Sequence, residues 1–233
     1  MICSVSIPSH CNGPAGSGNG GYSCGLLAAF IEGSACVRLH APPPLETEMQ
    51  IRPGENSAVM MYDGDLLVGT ARPASLELDI PQAPSLAEAR EASSRFPCYE
   101  DHDYPTCYVC GPKRGEDGLC IFPGPVRDWN LLACVWQPRP DMLDDNGRVR
   151  HEIIWSALDC PGYFGARGPD KLRTLLGELT TEIYAAIPGA EPLVVFCWPL
   201  GREGRKAWGG AAIADASGRV LAASRSLWIS LKE

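Results

Sequence analysis

The chain has 233 residues and a formal net charge of −8, with 45% hydrophobic and 21% charged residues. This is the composition of an ordinary globular protein, and it argues against global disorder or a fibrous structure. An acidic chain offers no overall electrostatic footprint for phosphates, so we expect no nucleic-acid partner. No apolar run reaches the ~20 residues that span a bilayer, and the N-terminus lacks a signal-peptide pattern. We therefore expect a cytoplasmic protein without membrane insertion.

The first half of the chain predicts one buried helix followed by an antiparallel meander. Glycine-rich sequence leads into Tyr22–Ile31, whose small and apolar residues on all sides are typical of a helix buried within a fold. Short β-prone runs separated by proline and glycine turns come next. We predict strands over Ala35–Ala41, Thr47–Arg52, Ser57–Tyr62 and Leu66–Leu78.

The segment 82–105 is predicted to be a linker between an N-terminal half, 1–81, and a C-terminal half, 106–233. Gln82–Arg95 predicts a short exposed helix, and Pro97–Pro105 is acidic, flanked by prolines and irregular. Two halves of this size each fall near the usual length of a small domain.

The second half repeats the order of the first, with a buried helix over Glu152–Cys160 that is expected to end near Pro161 and Gly162. The predicted strands are Leu119–Phe122, Leu131–Gln137, Leu172–Ala186, Leu193–Pro199, Lys206–Asp215 and Val220–Leu231. The repeated order of elements predicts an internal duplication, in which the halves are diverged copies.

The glycines of Gly16–Gly21 match the G-x-G-x-x-G spacing of dinucleotide-binding proteins. The surrounding order of elements does not fit that class, because no strand turns directly into the glycines and no β-α-β units follow. Two interpretations stay open. Either backbone N–H groups near Gly20 and Gly21 face a ligand at a helix start, or the glycines only let the helix approach the sheet.

Eleven cysteines are scattered along the chain, which argues against a disulfide scaffold and favours reduced thiols. Cys107 and Cys110 have the spacing of half a zinc site, which Cys98 or Cys120 would have to complete. Alternation makes Cys120 a strand residue, and no second C-x-x-C is present. We therefore predict a tight turn and no bound metal, with zinc as the alternative.

Asp159 is the candidate catalytic residue, because it follows an apolar stretch on a helix that should be buried. A buried carboxylate needs a partner or a function, and as a functional group it could activate water or attack a substrate directly. The alternative is a hydrogen bond at the helix end near Gly162. The nucleophile motif G-x-S-x-G is absent, and none of the four histidines pairs with a Ser or Cys in a recognised motif.

Arg205 and Lys206 lie in a small basic loop between predicted strands. They could hold the phosphates of a ligand, or they could belong to a solvated turn.

Taken together, these residues resemble the hotdog thioesterase superfamily, in particular double-hotdog proteins similar to acyl-CoA thioesterase II. The resemblance rests on 18–27 (GNGGYSCGLL), on Arg38–Pro44, on 107–112 (CYVCGP) with Gly118 and Leu119, and on 155–162 (WSALDCPG). It implies an α+β double hotdog, with two antiparallel sheets each wrapped around a central helix and joined as an intramolecular pseudo-dimer. Within that arrangement we expect both central helices to pack on a shared or continuous sheet.

The resemblance also implies a function, the hydrolysis of an acyl-CoA thioester without a cofactor. Asp159 would activate water, and N–H groups near Gly20 or Gly162 would polarise the carbonyl. Asn19 stands where many members have a histidine, and Thr180 or Thr181 could supply the family's strand threonine. Arg225 or Ser226 stands where its glutamine is expected.

Two other functions remain open, a catalytically silent acyl-ligand binding protein and an enoyl-CoA hydratase of the same fold. The resemblance implies an Asp/His pair for the hydratase, and this chain lacks that pair. The sequence is compatible with a homodimer.

Overall fold

The computed structural model describes residues 3–171 and 173–231, and the strands of these residues form one antiparallel sheet of eleven strands. The strands are β1 Cys3–Val5, β2 Ala35–Leu39, β3 Met49–Pro53, β4 Val59–Asp63, β5 Leu66–Pro73, β6 Gly124–Pro125, β7 Leu132–Trp136, β8 Thr174–Ile183, β9 Leu193–Glu203, β10 Lys206–Ala214 and β11 Val220–Ser230. The helices are α1 Gly20–Ala28, α2 Leu86–Ser93 and α3 His151–Arg167.

The two halves have the same topology. In the first, the chain order β1-α1-β2-β3-β4-β5 gives the sheet order β1-β3-β4-β5-β2. In the second, β7-α3-β8-β9-β10-β11 gives β7-β9-β10-β11-β8, with β6 added at the edge. Each half therefore contains one central helix and five strands in the same order.

The halves are joined through β2 and β8, which pair antiparallel over Ala35–Arg38 and Glu178–Thr181. The expectation of two joined sheets is therefore corrected to a single sheet, and the expectation of one continuous sheet is confirmed. A shared strand pair satisfies the backbone groups that two open edges would expose.

The two central helices pack directly on each other at glycines of α1. A Cβ atom at Gly21 would lie 2.6 Å from the carbonyl oxygen of Trp155, and one at Gly25 would lie 2.6 Å from Cα of Glu152. The His151 ring adds a hydrogen bond between Nδ1 and the Gly25 carbonyl oxygen at 3.0 Å. Only glycine lets the helix axes approach so closely, and the approach brings the start of α1 to the middle of α3.

The second helix, α2, lies in the segment predicted to be a linker. Ser85 and Glu88 form a capping box at its start, which explains why the helix begins there. Its buried residues Ala89 and Ala92 face the sheet, and Ala89 packs in a cluster with Phe196 and Trp198. The predicted short helix is confirmed, although one of its faces is buried.

Helix α3 is longer than predicted, because it continues through Pro161 to Arg167. Proline removes one backbone N–H donor, which normally ends or kinks a helix. Burial compensates here, since Gly162 packs against Ser226 and Gly165 packs against the backbone of Trp198. Asp159 is therefore in the middle of a helix, and the interpretation of its carboxylate as a helix-end partner near Gly162 is wrong.

The predicted strand Leu119–Phe122 does not form. Leu119 and Ile121 instead donate backbone hydrogen bonds to the carbonyls of Tyr108 and Val109, so the segment lies along the Cys107–Cys110 turn. Cys120 is exposed and has a φ of 56°, which is incompatible with a regular strand.

Most of the other predicted elements are present with shifted ends. Residues 1–2, 172 and 232–233, which fall in the predicted halves and in the strand prediction that begins at Leu172, lie outside the described residues. Within the described ranges, no helix has the length and apolar character needed to cross a membrane. The cytoplasmic location stays a prediction.

Candidate functional site

A cavity of about 650 Å³ opens where the start of α1, the middle of α3 and the ends of β8 and β11 converge. Its wall includes Gly20, Asp159, Cys160, Leu176 and Trp228, and the segment 98–104 from the predicted linker borders it. Both halves of the chain thus contribute to one concave site, which is the usual form of a small-molecule site.

Asp159 is the buried carboxylate in the cavity wall, with 2% of its surface exposed. Its Oδ2 accepts a hydrogen bond from the Gly21 backbone N–H at 2.8 Å and one from the Asn19 side-chain amide at 3.1 Å. Its Oδ1 is buried and has no hydrogen-bond partner among the described residues. Two hydrogen bonds therefore fix Oδ2, while the described residues offer no hydrogen-bond donor to Oδ1.

Burial raises the pKa of Asp159 to about 7. The Gly21 N–H lowers the pKa, the nearby Cys107 sulfur raises it, and the Asn19 amide lowers it. The first turn of α1 also places partial positive charge beside the carboxylate, because its N–H groups lack intrahelical acceptors.

Asn19 joins the two central helices. It is the N-cap of α1, where its side-chain oxygen accepts a hydrogen bond from the Tyr22 N–H at 2.9 Å, and its amide nitrogen donates to Asp159. The structure therefore brings together Asn19 and Asp159, which lie on different halves of the chain. Asn19 positions the carboxylate, and it also lines the cavity.

The three glycines predicted to bind substrate lie in different surroundings. Gly20 is the first residue of α1 and lines the cavity. Gly21 gives its N–H to Asp159, and a Cβ atom there would lie 2.5 Å from the Asp159 Cβ. Gly162 packs against Ser226, outside the cavity lining. Only Gly20 is thus placed to meet a ligand, and Gly162 is a packing residue because α3 does not start there.

The predicted threonine does not join the site. Strand alternation buries Leu179 and Thr181, whereas Thr180 is half-buried and hydrogen-bonds Cys36. Neither Thr180 nor Thr181 lines the cavity. The prediction of Thr180 as catalytic is corrected on this ground.

Arg225 and Ser226 do not replace the family's glutamine in this structure. Arg225 is exposed, and the buried Ser226 hydroxyl donates to the Gly209 carbonyl and accepts from the Trp228 indole. Neither residue lines the cavity.

The cations of the cavity are not those predicted from the sequence. Arg205 and Lys206 are exposed at the hairpin between β9 and β10, and Arg205 donates to the Ser230 carbonyl at 3.0 Å. The cavity instead carries Lys171 and Arg167. The Lys171 ammonium forms ion pairs with Asp101 and Asp103, at 2.8 and 3.5 Å. Arg205 and Lys206 thus fit the solvated turn.

Arg167 is a buried cation with 6% of its surface exposed. Its guanidinium donates to the Asp170 carbonyl at 2.6 Å and to the Cys98 sulfur at 3.0 Å. Over residues 3–171 and 173–231, no carboxylate lies within ion-pair distance of this guanidinium. Sequence reasoning missed Arg167 because the predicted helix stopped at Cys160, two turns earlier.

Three cysteines form a second feature of the cavity wall. The sulfurs of Cys107, Cys110 and Cys160 lie within 4.8 Å of one another, all three residues are buried, and all three line the cavity. Hydrogen bonds from the other two thiols and from backbone N–H groups hold the pKa of Cys107 well below its usual range. The pKa values of Cys110 and Cys160 are raised, chiefly by the neighbouring Cys107.

Comparison with solved structures identifies the fold. A tesB protein from Mycobacterium avium subsp. paratuberculosis is 12% identical, with 99% of this chain and 93% of that chain covered and a TM-score of 0.63. An acyl-CoA thioesterase II, TesB2, from Mycobacterium marinum is 11% identical, with coverage of 100% and 93% and a TM-score of 0.63. A hot dog fold protein of unknown function from Alicyclobacillus acidocaldarius is 13% identical, with coverage of 100% and 94% and a TM-score of 0.60.

No protein-family model and no curated protein sequence matches the chain. At these identities the likeness establishes the hotdog fold, and the resemblance expected from the sequence is confirmed at that level.

Proposed function

We propose that the protein hydrolyses an acyl-CoA thioester in the cavity beside Asp159, without a redox or group-carrying cofactor. The observation that carries the proposal is the Asp159 carboxylate. Its Oδ2 is held by hydrogen bonds from Gly21 and Asn19. Its buried Oδ1 has no hydrogen-bond partner among the described residues, and Asp159 lines the cavity. The fold supports this reading, because structures with the same fold include a protein named acyl-CoA thioesterase II.

In the proposed reaction, Asp159 Oδ1 accepts a proton from a water molecule as the water oxygen attacks the thioester carbonyl carbon. The carbon–sulfur bond then breaks, and the proton passes to the departing thiolate, which yields the free acid and coenzyme A. The Gly20 N–H, at the first position of α1, has no intrahelical acceptor and suits the carbonyl oxygen. The assignment of Asp159 rests on this geometry.

The anionic end of the substrate fits Arg167 better than Arg205 or Lys206. Among the described residues no carboxylate pairs with the buried guanidinium of Arg167, and burying a charge without a counter-charge is costly, so an anionic ligand suits this position. Arg167 lines the cavity, whereas the side chains of Arg205 and Lys206 are at the exposed hairpin.

We also propose that the chain is a double hotdog in which the halves, 1–81 and 106–233, arose by internal duplication. The support is their shared topology, with five strands in the same order around one central helix. Joining the halves at β2 and β8 makes the pair equivalent to a dimer of single hotdog units within one chain.

A screen of acyl-CoA substrates with detection of the released thiol tests the activity, and Asp159→Asn tests the mechanism. The amide is nearly isosteric, so the fold should persist while turnover falls by ~10²–10⁴. The matched control is Asp215→Asn, whose carboxylate caps a hairpin turn through Ser217. Melting temperature is measured for both variants beside turnover.

Unchanged turnover in a folded Asp159→Asn protein would eliminate Asp159 as the base. A wild-type protein that hydrolyses none of the substrates but binds them would favour the silent acyl-ligand binding protein.

A further inference from the structure

The three cysteine sulfurs of the cavity wall come from two distant parts of the chain. Cys107 and Cys110 lie in the turn after the segment 98–104, and Cys160 lies on α3, 53 residues after Cys107. The Cys107 and Cys160 sulfurs are 3.8 Å apart, and all three residues are present as free cysteines. This separation is far longer than the ~2.05 Å of a disulfide bond.

The local backbone is shaped to hold sulfur at this turn. Backbone N–H groups of Val109 and Cys110 hydrogen-bond the Cys107 sulfur, and the Gly111 N–H donates to the Cys107 carbonyl at 3.0 Å. A Cβ atom at Gly111 would lie 2.6 Å from that carbonyl oxygen, so a larger residue does not fit. N–H donors aimed at a sulfur stabilise the thiolate, which is the form that binds metal.

The spacing of the sulfurs agrees with a thiolate-bound metal ion. Zinc–sulfur bonds are about 2.3 Å long, and two such bonds at the tetrahedral angle separate their sulfurs by about 3.8 Å. Cys107 and Cys160 already have this separation, and Cys110 lies within 4.8 Å of both. Soft thiolate ligands in a tetrahedral set favour zinc over hard cations such as magnesium or calcium.

We propose that Cys107, Cys110 and Cys160 bind one zinc ion, with the fourth coordination position open to the cavity. All three cysteines line the cavity, so a water molecule or a thiol ligand there can reach the metal. The ion also offsets the negative charge of the thiolates, because burying that charge without a counter-ion costs free energy.

This inference revises the sequence-based prediction of no metal. That prediction considered Cys98 and Cys120 as further ligands. The Cys98 sulfur instead accepts a hydrogen bond from the Arg167 guanidinium, and Cys120 is an exposed residue outside the cluster. The missing sulfur belongs to Cys160, which no spacing rule connects to the C-x-x-C turn.

Elemental analysis of untagged protein, purified under reducing conditions without chelator or added metal, provides the first test. We expect about one zinc per chain in the wild type, as in a single three-cysteine site. Cys160→Ser should lose most of the zinc, whereas Cys134→Ser, a matched buried cysteine of β7 outside the cluster, should retain it. Asp159→Asn should also retain zinc, which separates this inference from the proposed hydrolysis.

Reconstitution with cobalt provides a readout of the ligands themselves. The wild type should develop the near-ultraviolet charge-transfer absorption of cobalt–thiolate bonds, and a folded Cys160→Ser protein should develop much less of it. Circular dichroism establishes that the variant is folded. A folded wild type that has no zinc and develops no cobalt–thiolate band would overturn the proposal, leaving a hydrogen-bonded thiol cluster. Zinc retained in full by Cys160→Ser would overturn this set of ligands.

Discussion

The Asn19 side-chain nitrogen lies 3.1 Å from Asp159 Oδ2, so the N-cap of one central helix holds the carboxylate of the other. The same amide group accepts the Tyr22 N–H through its oxygen. One side chain thus starts α1 and orients the candidate base, which makes Asn19 a positioning residue whose two roles can be separated by substitution.

We predict that Asn19→Ala lowers both stability and turnover, whereas Asn19→Ser lowers mainly turnover. Loss of an N-cap side chain costs about 0.5–2 kcal/mol, and serine can still cap the helix. The shorter serine does not span the distance to Asp159, so the carboxylate loses one of its two hydrogen bonds. Chemical denaturation and steady-state kinetics separate the effects. A purely structural Asn19 would give an Asn19→Ser protein with wild-type kcat.

The close approach of the central helices predicts that Gly21→Ala is destabilising. An added methyl group would lie 2.5 Å from the Asp159 Cβ and 2.6 Å from the Trp155 carbonyl oxygen, so α1 and α3 must separate. Overpacking of this kind costs about 1–3 kcal/mol, measurable by urea denaturation. Gly54→Ala is the control, because the nearest atom to an added Cβ there is 3.3 Å away. Equal stability of the two variants would contradict tight helix packing at Gly21.

Much of the fold was predictable from the sequence because hydrophobic pattern and turn residues determine local structure. The buried helices, most strands and the repeated order all follow from such local signals. The failures have physical causes. Pro161 is a strong local signal for a helix end, but packing of Gly162 and Gly165 against the sheet overrides it. The predicted strand around Cys120 does not form, because its backbone N–H groups donate hydrogen bonds to carbonyls of the 107–110 turn.

The site was less predictable, since its geometry depends on contacts between distant segments. Asp159 could be found because a carboxylate in an apolar helix is visible locally, and Asn19 because the segment 18–27 carries the resemblance to hotdog proteins. Three other features depend on the tertiary structure: the contact of Cys107 with Cys160, the position of Arg167 in the cavity wall and the orientation of Thr180. Strand alternation alone could have separated Thr180 from Thr181, but not indicated which of them faces the helices.

Thr181→Val is predicted to keep turnover and to raise stability by about 1 kcal/mol. The Thr181 hydroxyl is buried, has no hydrogen-bond partner among the described residues, and lies outside the cavity lining. Valine has a similar shape and removes the desolvation cost of an unpaired hydroxyl, which is about 1–3 kcal/mol. Thr180→Val, which loses a contact with Cys36, serves as the comparison and should not gain stability. Normal stability with greatly reduced turnover in the Thr181→Val protein would contradict this prediction and assign Thr181 a catalytic role.

Arg167 is the buried cation of the cavity, and we predict that Arg167→Gln raises the KM for acyl-CoA by ~10–100-fold. This range follows because a hydrogen bond to a charged group contributes about 1.5–3 kcal/mol. The effect should fall on KM more than on kcat, since Arg167 would bind the anionic end of the substrate in both the ground and transition states. Arg167→Lys keeps the charge and should recover part of the affinity.

Arg205→Gln is the control that discriminates between an anion site at Arg167 and one at the hairpin, because the exposed Arg205 side chain donates to the Ser230 carbonyl outside the cavity lining. Steady-state kinetics are compared with melting temperatures, since Arg167 also contacts Cys98. A raised KM in Arg205→Gln with none in a stable Arg167→Gln protein would place the anion at the hairpin instead.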